Sequence, residues 1–505
     1  MLTALAPVAA LLMSVALMLM GNGLQSTLLP MRAQIENFSA FEIGVLGSAY
    51  FAGFALGCWR GAVLIRRAGH IRTFAAMVAL ASTSALVHPL INDQIVWWIV
   101  RMLSGVCIAV LFMVIESWLN EKSSNESRGV VFSVYTAINL SVISVGQVIL
   151  AFGEPAGFPL FLIASILISW AAVPVALTRA ESPEPPEQVG VRIGYLIRLS
   201  PVGFIGSFTV GVASGSFWAL APVAVQGGDS GPAEAAIFIA VTVIGGAAGQ
   251  YPLGKLSDRM DRRRLITIVA VLAALAGIAL VLFGGNGRTV LMAAGFAFGM
   301  FSFPLYSLSV AHANDFVEGK SFVEAASGLL LIYAAGAVVG PLMASALIAQ
   351  VGSSGLFMFT AAAHLIFAAF VVVRMRQRAP VPEEERGSFT EAATAGLTIL
   401  PVETASVDAE PAGEDVQEDA AEGDVPAEPD VSGPDRGPTS YSDSEAEVAE
   451  PVDAPDSDDG GSGILTEDPE NGSTVTDEPA AETGTNVETG TETGTSPRKP
   501  APDGA

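Results

Sequence analysis

The sequence predicts an all-α polytopic membrane protein, with twelve transmembrane helices in two six-helix bundles and a disordered acidic C-terminal tail. Three observations predict it. Twelve apolar segments fill the chain from Leu2 to Arg374, each close to the about 20 residues that cross a hydrocarbon core of about 30 Å. Basic residues fall almost entirely in every second gap between those segments, and the composition breaks abruptly after Arg378.

The predicted spans are 4–29, 42–65, 73–92, 95–118, 129–152, 158–178, 201–225, 234–256, 265–285, 289–312, 323–347 and 354–374. The opening Met1-Leu2-Thr3 has no basic stretch and no small-residue cleavage site follows, so span 1 reads as a retained helix. Cys58 and Cys107 fall inside spans 2 and 4 and read as small buried apolar residues, with no disulfide or metal framework.

The net charge of −25 combines two unlike regions. Residues 379–505 hold 33 of the 50 acidic residues and 4 of the 25 basic ones, a net −29; residues 1–378 are at +4. Within the apolar part, seventeen Lys and Arg lie on one side: Arg66, Arg67 and Arg72; Lys122 and Arg128; Arg179, Arg192 and Arg198; Lys255, Arg259 and Arg262 to Arg264; Lys320; and Arg374, Arg376 and Arg378. The other side has Arg32 and Arg288, while Arg60 and Arg101 lie within spans. Short loops rich in Lys and Arg stay in the cytoplasm. The sequence thus predicts an inner or plasma membrane protein with both termini cytoplasmic.

Residues 179–200 form the longest gap between spans on the basic side, and the prolines of 181–187 favour an extended connector. It separates an N-terminal bundle, 1–178, from a C-terminal bundle, 201–378. The halves look duplicated. Gly53 and Gly57 match Gly245 and Gly249 at a shift of 192; Gly105 and Ser117 match Gly295 and Ser307 at 190; Gly129 and Tyr135 answer Gly328 and Tyr333 at 199 and 198. Such repeats place a binding site at their interface near mid-membrane, and rocking of one half against the other alternates access to it. Beyond residue 378, Phe389 and Tyr441 are the sole aromatics amid Pro, Gly, Ser, Thr, Asp, Glu and Ala. So little apolar surface cannot offset chain entropy, and 379–505 is predicted to be disordered.

The most specific motif is Gly254-Lys-Leu-Ser-Asp258-Arg259-Met-Asp261-Arg262-Arg263-Arg264, between spans 8 and 9. A positive-inside loop explains its arginines but not its Gly-x-x-x-Asp-Arg spacing. Glycine permits close helix approach, and Asp258 is placed to accept from an adjoining helix N-terminus. Here the chain resembles the major facilitator superfamily, whose loop between spans 2 and 3 carries Gly-x-Leu-x-Asp-Arg-x-Gly-Arg-Arg, echoed between spans 8 and 9. Gly254, Leu256, Asp258, Arg259, Arg262 and Arg263 fit, with Asp261 in place of the second glycine. The first-half copy keeps Arg67 and Gly69 but has Arg66 where the aspartate belongs. Arg101-Met-Leu-Ser-Gly105 resembles the family's Arg-x-x-x-Gly of span 4. Glu116-Ser-Trp-Leu-Asn120 and Pro304-Leu-Tyr306 through His312-Ala-Asn314-Asp315 are similar to the YcaD-like branch.

The resemblance implies a secondary transporter of a small solute, with the Asp258 motif in a cytoplasmic gate and protons as a coupling ion. Arg101 is the leading substrate or coupling residue, because an intramembrane arginine costs about 2.5–3.5 kcal/mol at a helix centre; the alternative is an arginine that snorkels to headgroups. Glu116, near the cytoplasmic end of span 4, either handles protons or pairs with Lys122 or Arg128. Asn22, Gln25, Asn139, Trp218 and Tyr333 are candidates to line the cavity or to join helices. Span 5 has Gly146-Gln147 and lacks the family's exchanger Gly-Pro motif there. No phosphate loop, His/Cys ligand cluster or nucleophile motif occurs. Neither an enzyme, a cofactor, a metal site nor a nucleic-acid partner is expected. The rival expectation is a membrane-embedded sensor or interaction protein that displays the acidic tail to a partner the sequence does not name.

Overall fold

The computed structural model describes residues 8–123, 125–177, 193–226, 231–317 and 321–378. The predicted connector at 179–192 and the predicted tail disorder lie outside them. All described regular structure is helical. α1 is Ala9–Ile35, α2 Ala40–Ala68, α3 His70–Leu90, α4 Gln94–Lys122, α5 Asn125–Ala151, α6 Pro159–Trp170 and α7 Ala172–Leu177. α8 is Ile193–Leu199, α9 Pro201–Ala224, α10 Pro232–Arg259, α11 Arg262–Phe283, α12 Arg288–Ser302, α13 Pro304–Asn314, α14 Ser321–Val351 and α15 Gly355–Gln377. Among them are twelve stretches long and apolar enough to cross a membrane, at the twelve predicted places.

Local chemistry sets the helix ends. Ser39 and Glu42 form a reciprocal capping box at α2, and Asp93 accepts from the Val96 amide at α4. Proline opens α6, α9, α10 and α13, where its missing N–H costs nothing. Span 1 runs further than predicted, to Ile35, because its polar end is tied down: Arg32 pairs with Glu36 at 2.6 Å and donates to the Ala156 carbonyl. Span 10 is interrupted where Pro304 follows Phe303, giving α12 and α13. The last part of the predicted connector is also helical: α8 buries Leu196 against Val317 and Ala325.

The two halves pack by one plan. In the first, α1 packs on α5, α2 on α4, and α3 on α4 and α6; in the second, α9 packs on α14, α10 on α12, and α11 on α12 and α15. Close backbone approaches fix the register. A Cβ on Gly53 would collide with the Met102 carbonyl and one on Gly105 with that of Tyr50; Gly245 faces Phe296 and Gly299 faces Thr242 in the same way. Likewise Gly23 abuts Ile143 and Gly146 the Met20 carbonyl, as Gly215 abuts Ala337 and Gly340 the Val212 carbonyl. Spans 1 and 2 therefore match 7 and 8 at a shift of 192, and spans 4 and 5 match 10 and 11 at 194. Gly105 is equivalent to Gly299 rather than to Gly295, and Tyr333 to Asn139 rather than to Tyr135.

The buried core is not symmetric across the membrane. On the arginine-poor side one apolar cluster joins both halves, running from Leu28, Ile43 and Leu46 to Phe217, Leu220 and Ala344. On the arginine-rich side each half has a large cluster of its own, beside the small one under α8. Val15, Ile115 and Trp118 belong to the first half and Val269, Leu308 and Phe367 to the second, with half-buried Leu330 touching both. The seam on the closed side is close: Ser48 Oγ donates to the Val338 carbonyl at 2.7 Å, and Gly44 lies against Pro341 and Ser345. Large apolar side chains such as Trp59, Ile99, Trp170, Leu282 and Ile366 face outward, as a lipid-covered surface requires.

Candidate functional site

Three helices of the first half converge on Arg101. The residue lies about 10 Å below the arginine-poor end of α4 at 1.5 Å rise per residue, and it is 6% exposed. Its guanidinium carbon sits 4.2 Å from the Tyr50 ring centroid on α2, and Nη2 is 3.4 Å from Ser26 Oγ on α1. Nη1 has no hydrogen-bond partner. The Tyr50 hydroxyl accepts from Asn22 Nδ2 at 3.5 Å. Asn22 and Ser26 are one turn apart and share a face of α1. The missing Cβ of Gly105 is what lets α4 meet α2 at the Tyr50 carbonyl, bringing Arg101 and Tyr50 together. Among the described residues no carboxylate bonds or pairs with Arg101.

Other predicted residues are placed around this cluster or away from it. Gln25 is 1% exposed and its Nε2 has no partner. Tyr333 of the second half packs against Tyr306, with ring centroids 4.9 Å apart and planes tilted by 57°. Asn139, at the equivalent position in the first half, is half-buried with Oδ1 unpartnered. Trp218 stacks on Phe303 at 6.1 Å and packs against the shared core of the arginine-poor side, so it sits outward of mid-depth. Glu116 is 1% exposed deep in the first half, where the Tyr135 hydroxyl donates to its Oε1 at 2.9 Å. Arg60 is exposed, its guanidinium 4.3 Å from the Trp59 ring.

At the arginine-rich end of the second half the Asp258 motif forms an ionic network. Gly254 is buried on α10. Arg262 is 2% exposed; its Nε donates to Ser257 Oγ at 3.1 Å and Nη1 to the Ala311 carbonyl at 2.7 Å and to Asp315. Nη2 lies 3.3 Å from Asp258 Oδ1. Asp261 caps α11, accepting from the Arg263 amide at 3.0 Å, while Asp258, near the end of α10, takes Arg262. Asp261 also holds the Arg263 guanidinium, with Nε at 3.1 Å and Nη2 at 2.9 Å. Burial pushes the Asp261 carboxyl up, but the Arg263 hydrogen bonds and charge outweigh it and hold the group below the usual carboxylate range. Arg259 and Arg67 are exposed, and Gly69 turns the first-half joint at φ +81°, a left-handed value that suits glycine.

Sequence reasoning missed Tyr50, Ser26, Asp261 as a cap, and Asp315 as the buried partner of Arg262. The cap was legible as an aspartate at the head of the segment that turns apolar at Leu265, three arginines later. Tyr50 and Ser26 carried no local signal, because their meeting with Arg101 depends on which glycines let which helices approach. Among the described residues no group of three His, Cys, Asp or Glu could hold a metal ion.

Known proteins carry the same architecture. The profile of the Major Facilitator Superfamily matches residues 11–313 and 203–406. An uncharacterised MFS-type transporter of Enterobacter sp. (strain 638) is 24% identical over 383 residues, covering 74% of this chain and 97% of that protein. The uncharacterised MFS-type transporter YcaD of Salmonella newport (strain SL254) is 24% identical over 380 residues, with the same coverage. Among solved structures, the nucleoside transporter NupG superposes with a TM-score of 0.60 at 12% identity, covering 72% of this chain and 96% of that one. A bacterial homologue of the human lysosomal transporter Spinster gives 0.61 at 17% identity, with 75% and 98% covered. With its twelve spans, two bundles and span 8–9 motif, the chain belongs to the major facilitator superfamily, in its YcaD-like branch.

Proposed function

We propose that the protein is a secondary transporter that moves a small solute by alternating access, with Arg101, Tyr50, Asn22 and Ser26 at its binding site and both termini cytoplasmic. The observation that carries the reading is the unequal core, with one large cluster shared by both halves on the arginine-poor side and a separate large cluster in each half on the arginine-rich side. Halves joined at one end and divided at the other have a place to open and a hinge to open about. By the charge bias of the loops, the divided side is the cytoplasmic one. The Asp258, Arg262 and Asp315 network sits on that side, where it holds the ends of α10, α11 and α13 as one body. Proton coupling would fall to Glu116, a buried carboxylate hydrogen-bonded by Tyr135.

Spin labels test the rocking. Phe41 and Val351 are exposed at the arginine-poor ends of α2 and α14, helices that pack across the seam. With Cys58 and Cys107 replaced, labels at Phe41→Cys and Val351→Cys should give two distance populations in nanodiscs. Joining Ser48→Cys to Val338→Cys by a disulfide should leave the shorter one. One unchanging distance, locked or not, would refute alternating access. The sensor reading rests on the tail's net charge of −29. Truncation after Arg378 separates the two, because the distance exchange should survive it if the protein is a transporter.

A further inference from the structure

We infer that the solute is a monoanionic organic acid, a carboxylate on an aromatic or apolar body, whose charge is met by Arg101. This rests on the transport reading and names its substrate class.

The argument begins from an imbalance. Guanidinium stays charged in any protein setting, and a charge taken out of water is costly unless paired. Arg101 is 6% exposed, yet its contacts are a ring face at 4.2 Å, a hydroxyl at 3.4 Å and an unpartnered Nη1. The second-half network shows what this chain does when an arginine is structural: Arg262, also buried, has Asp315, Asp258, Ser257 and the Ala311 carbonyl around it. Arg101 has no such set. Its equivalent in the second half, at the shift of 194, is Gly295, so the fold itself does not need an arginine there. An arginine with no countercharge among the described residues and no structural necessity is a site whose countercharge arrives from outside.

Charge number and surroundings narrow the class. Among the described residues Arg101 is the one cation buried toward the middle of the membrane, which balances one negative charge; a phosphate monoester carries about −1.5 to −2 at pH 7 and would leave an excess. The ring that Arg101 contacts, Tyr50, has other rings beside it, and a further ring pair lies in the other half. Phe51 and Phe54 lie 5.3 Å and 6.5 Å from Tyr50, and Tyr306 and Tyr333 pair at 4.9 Å in the other half. Asn22, with an unpartnered Oδ1, supplies a polar group beside Tyr50. A planar carboxylate suits the guanidinium fork, and an aromatic or alkyl body suits the rings.

The test uses three probes of one shape: benzoate, its neutral isostere benzamide, and the dianion phenyl phosphate. In thermal unfolding of the purified protein, benzoate should raise the midpoint in a dose-dependent way, since a compound bound by the native state alone stabilises it. Benzamide and phenyl phosphate should not, and Arg101→Gln should abolish the benzoate shift. Equal shifts from benzamide, or a benzoate shift that survives Arg101→Gln, would overturn the inference. If no probe shifts the midpoint, the unliganded Arg101→Met variant decides: a higher midpoint than wild type supports an uncompensated charge kept for a solute, and an unchanged or lower one overturns it. Uptake into proteoliposomes keeps the two readings apart. Benzoate binding without flux defeats transport and leaves the anion site, whereas benzamide flux indifferent to Arg101→Gln does the reverse.

Discussion

The joint between α2 and α3 and the joint between α10 and α11 occupy equivalent places, and they are built from unlike chemistry. At the shift of 192, His70 answers Arg262, Gly69 answers Asp261 and Arg66 answers Asp258. His70 makes a hydrogen-bond contact, its Nε2 3.1 Å from Ser117 Oγ, and packs at a tilt against Trp118, centroids 5.8 Å apart. Ser117, at the shift of 194, is the equivalent of Ala311, whose carbonyl takes Arg262. The same two elements thus meet at the same place in both halves, through a neutral ring in one and a fourfold-bonded guanidinium in the other. The packing plan is shared, and the polar chemistry laid over it is not. Where the second half has Arg262, a charge that must be matched, the first half has His70, with ring contact and a hydrogen bond.

That difference should be plain in stability. Arg262→Met takes the nearest cation from Asp315, whose side chain is 2% exposed, and breaking a buried pair costs about 3–5 kcal/mol. His70→Ala removes a neutral hydrogen bond of about 1 kcal/mol together with some ring packing. Denaturant unfolding in detergent compares them, and Arg262→Met should lose at least twice as much. The double variant Arg262→Met with Asp315→Leu should regain most of that loss, because both charges go together. Equal losses at Arg262 and His70 would erase the contrast between the joints.

The packing plan itself predicts equality where the joints predict difference. Gly105 and Gly299 each abut a backbone carbonyl across their helix pair, Tyr50 and Thr242 respectively. Backbone cannot yield cheaply, so Gly105→Ala and Gly299→Ala should each cost about 1–3 kcal/mol, the range for overpacking, and by similar amounts. Gly295 instead faces the edge of the Phe238 ring, a buried side chain whose far end shifts more readily than a backbone carbonyl. Gly295→Ala should cost less. If Gly295 rather than Gly299 matched Gly105 in its cost, the register of the repeat would be the one read from sequence.

Span number and order were legible in the sequence because length and hydropathy are local properties. All twelve spans lie where apolar runs predicted them, and the ends shifted where a polar residue found a partner, as Arg32 did with Glu36. Register was not legible. Glycines are frequent, and a match such as Gly105 with Gly295 looks as good on paper as Gly105 with Gly299. The two are told apart by which carbonyl fills the missing Cβ, a fact about two helices rather than one. The site divides in the same way. Arg101 stood out because a charge in an apolar run is conspicuous, and Asn22 because amides are rare there. Tyr50 and Ser26 are ordinary residues for a membrane helix, and they acquire meaning through contact with Arg101. Asp258 drew notice through its motif, while Asp261 three residues on does the capping.

Asp261 supplies the smallest effect and a pH signature the first-half joint should lack. Its carboxyl caps α11 through the Arg263 amide and pairs with the Arg263 guanidinium, and together these hold its titration below the ordinary range. A carboxylate whose folded pKa is depressed contributes stability above its unfolded value of about 3.9 and loses that contribution as pH falls through the folded value. Replacing an aspartate cap by alanine costs about 0.5–2 kcal/mol, so Asp261→Ala should unfold more readily than wild type at pH 7 by about 1 kcal/mol. Because both proteins keep their other carboxylates, the difference between them isolates this group. The gap should be constant from pH 7 down to about pH 5 and should shrink only below about pH 4, as wild type loses what the variant never had. Gly69→Ala, at the equivalent position but with φ +81°, should instead cost the same at every pH, because its penalty is backbone strain and involves no proton. A pH-independent gap for Asp261→Ala would mean that the carboxylate acts there by shape alone, and the ionic character assigned to the second joint would reduce to the Arg262 network.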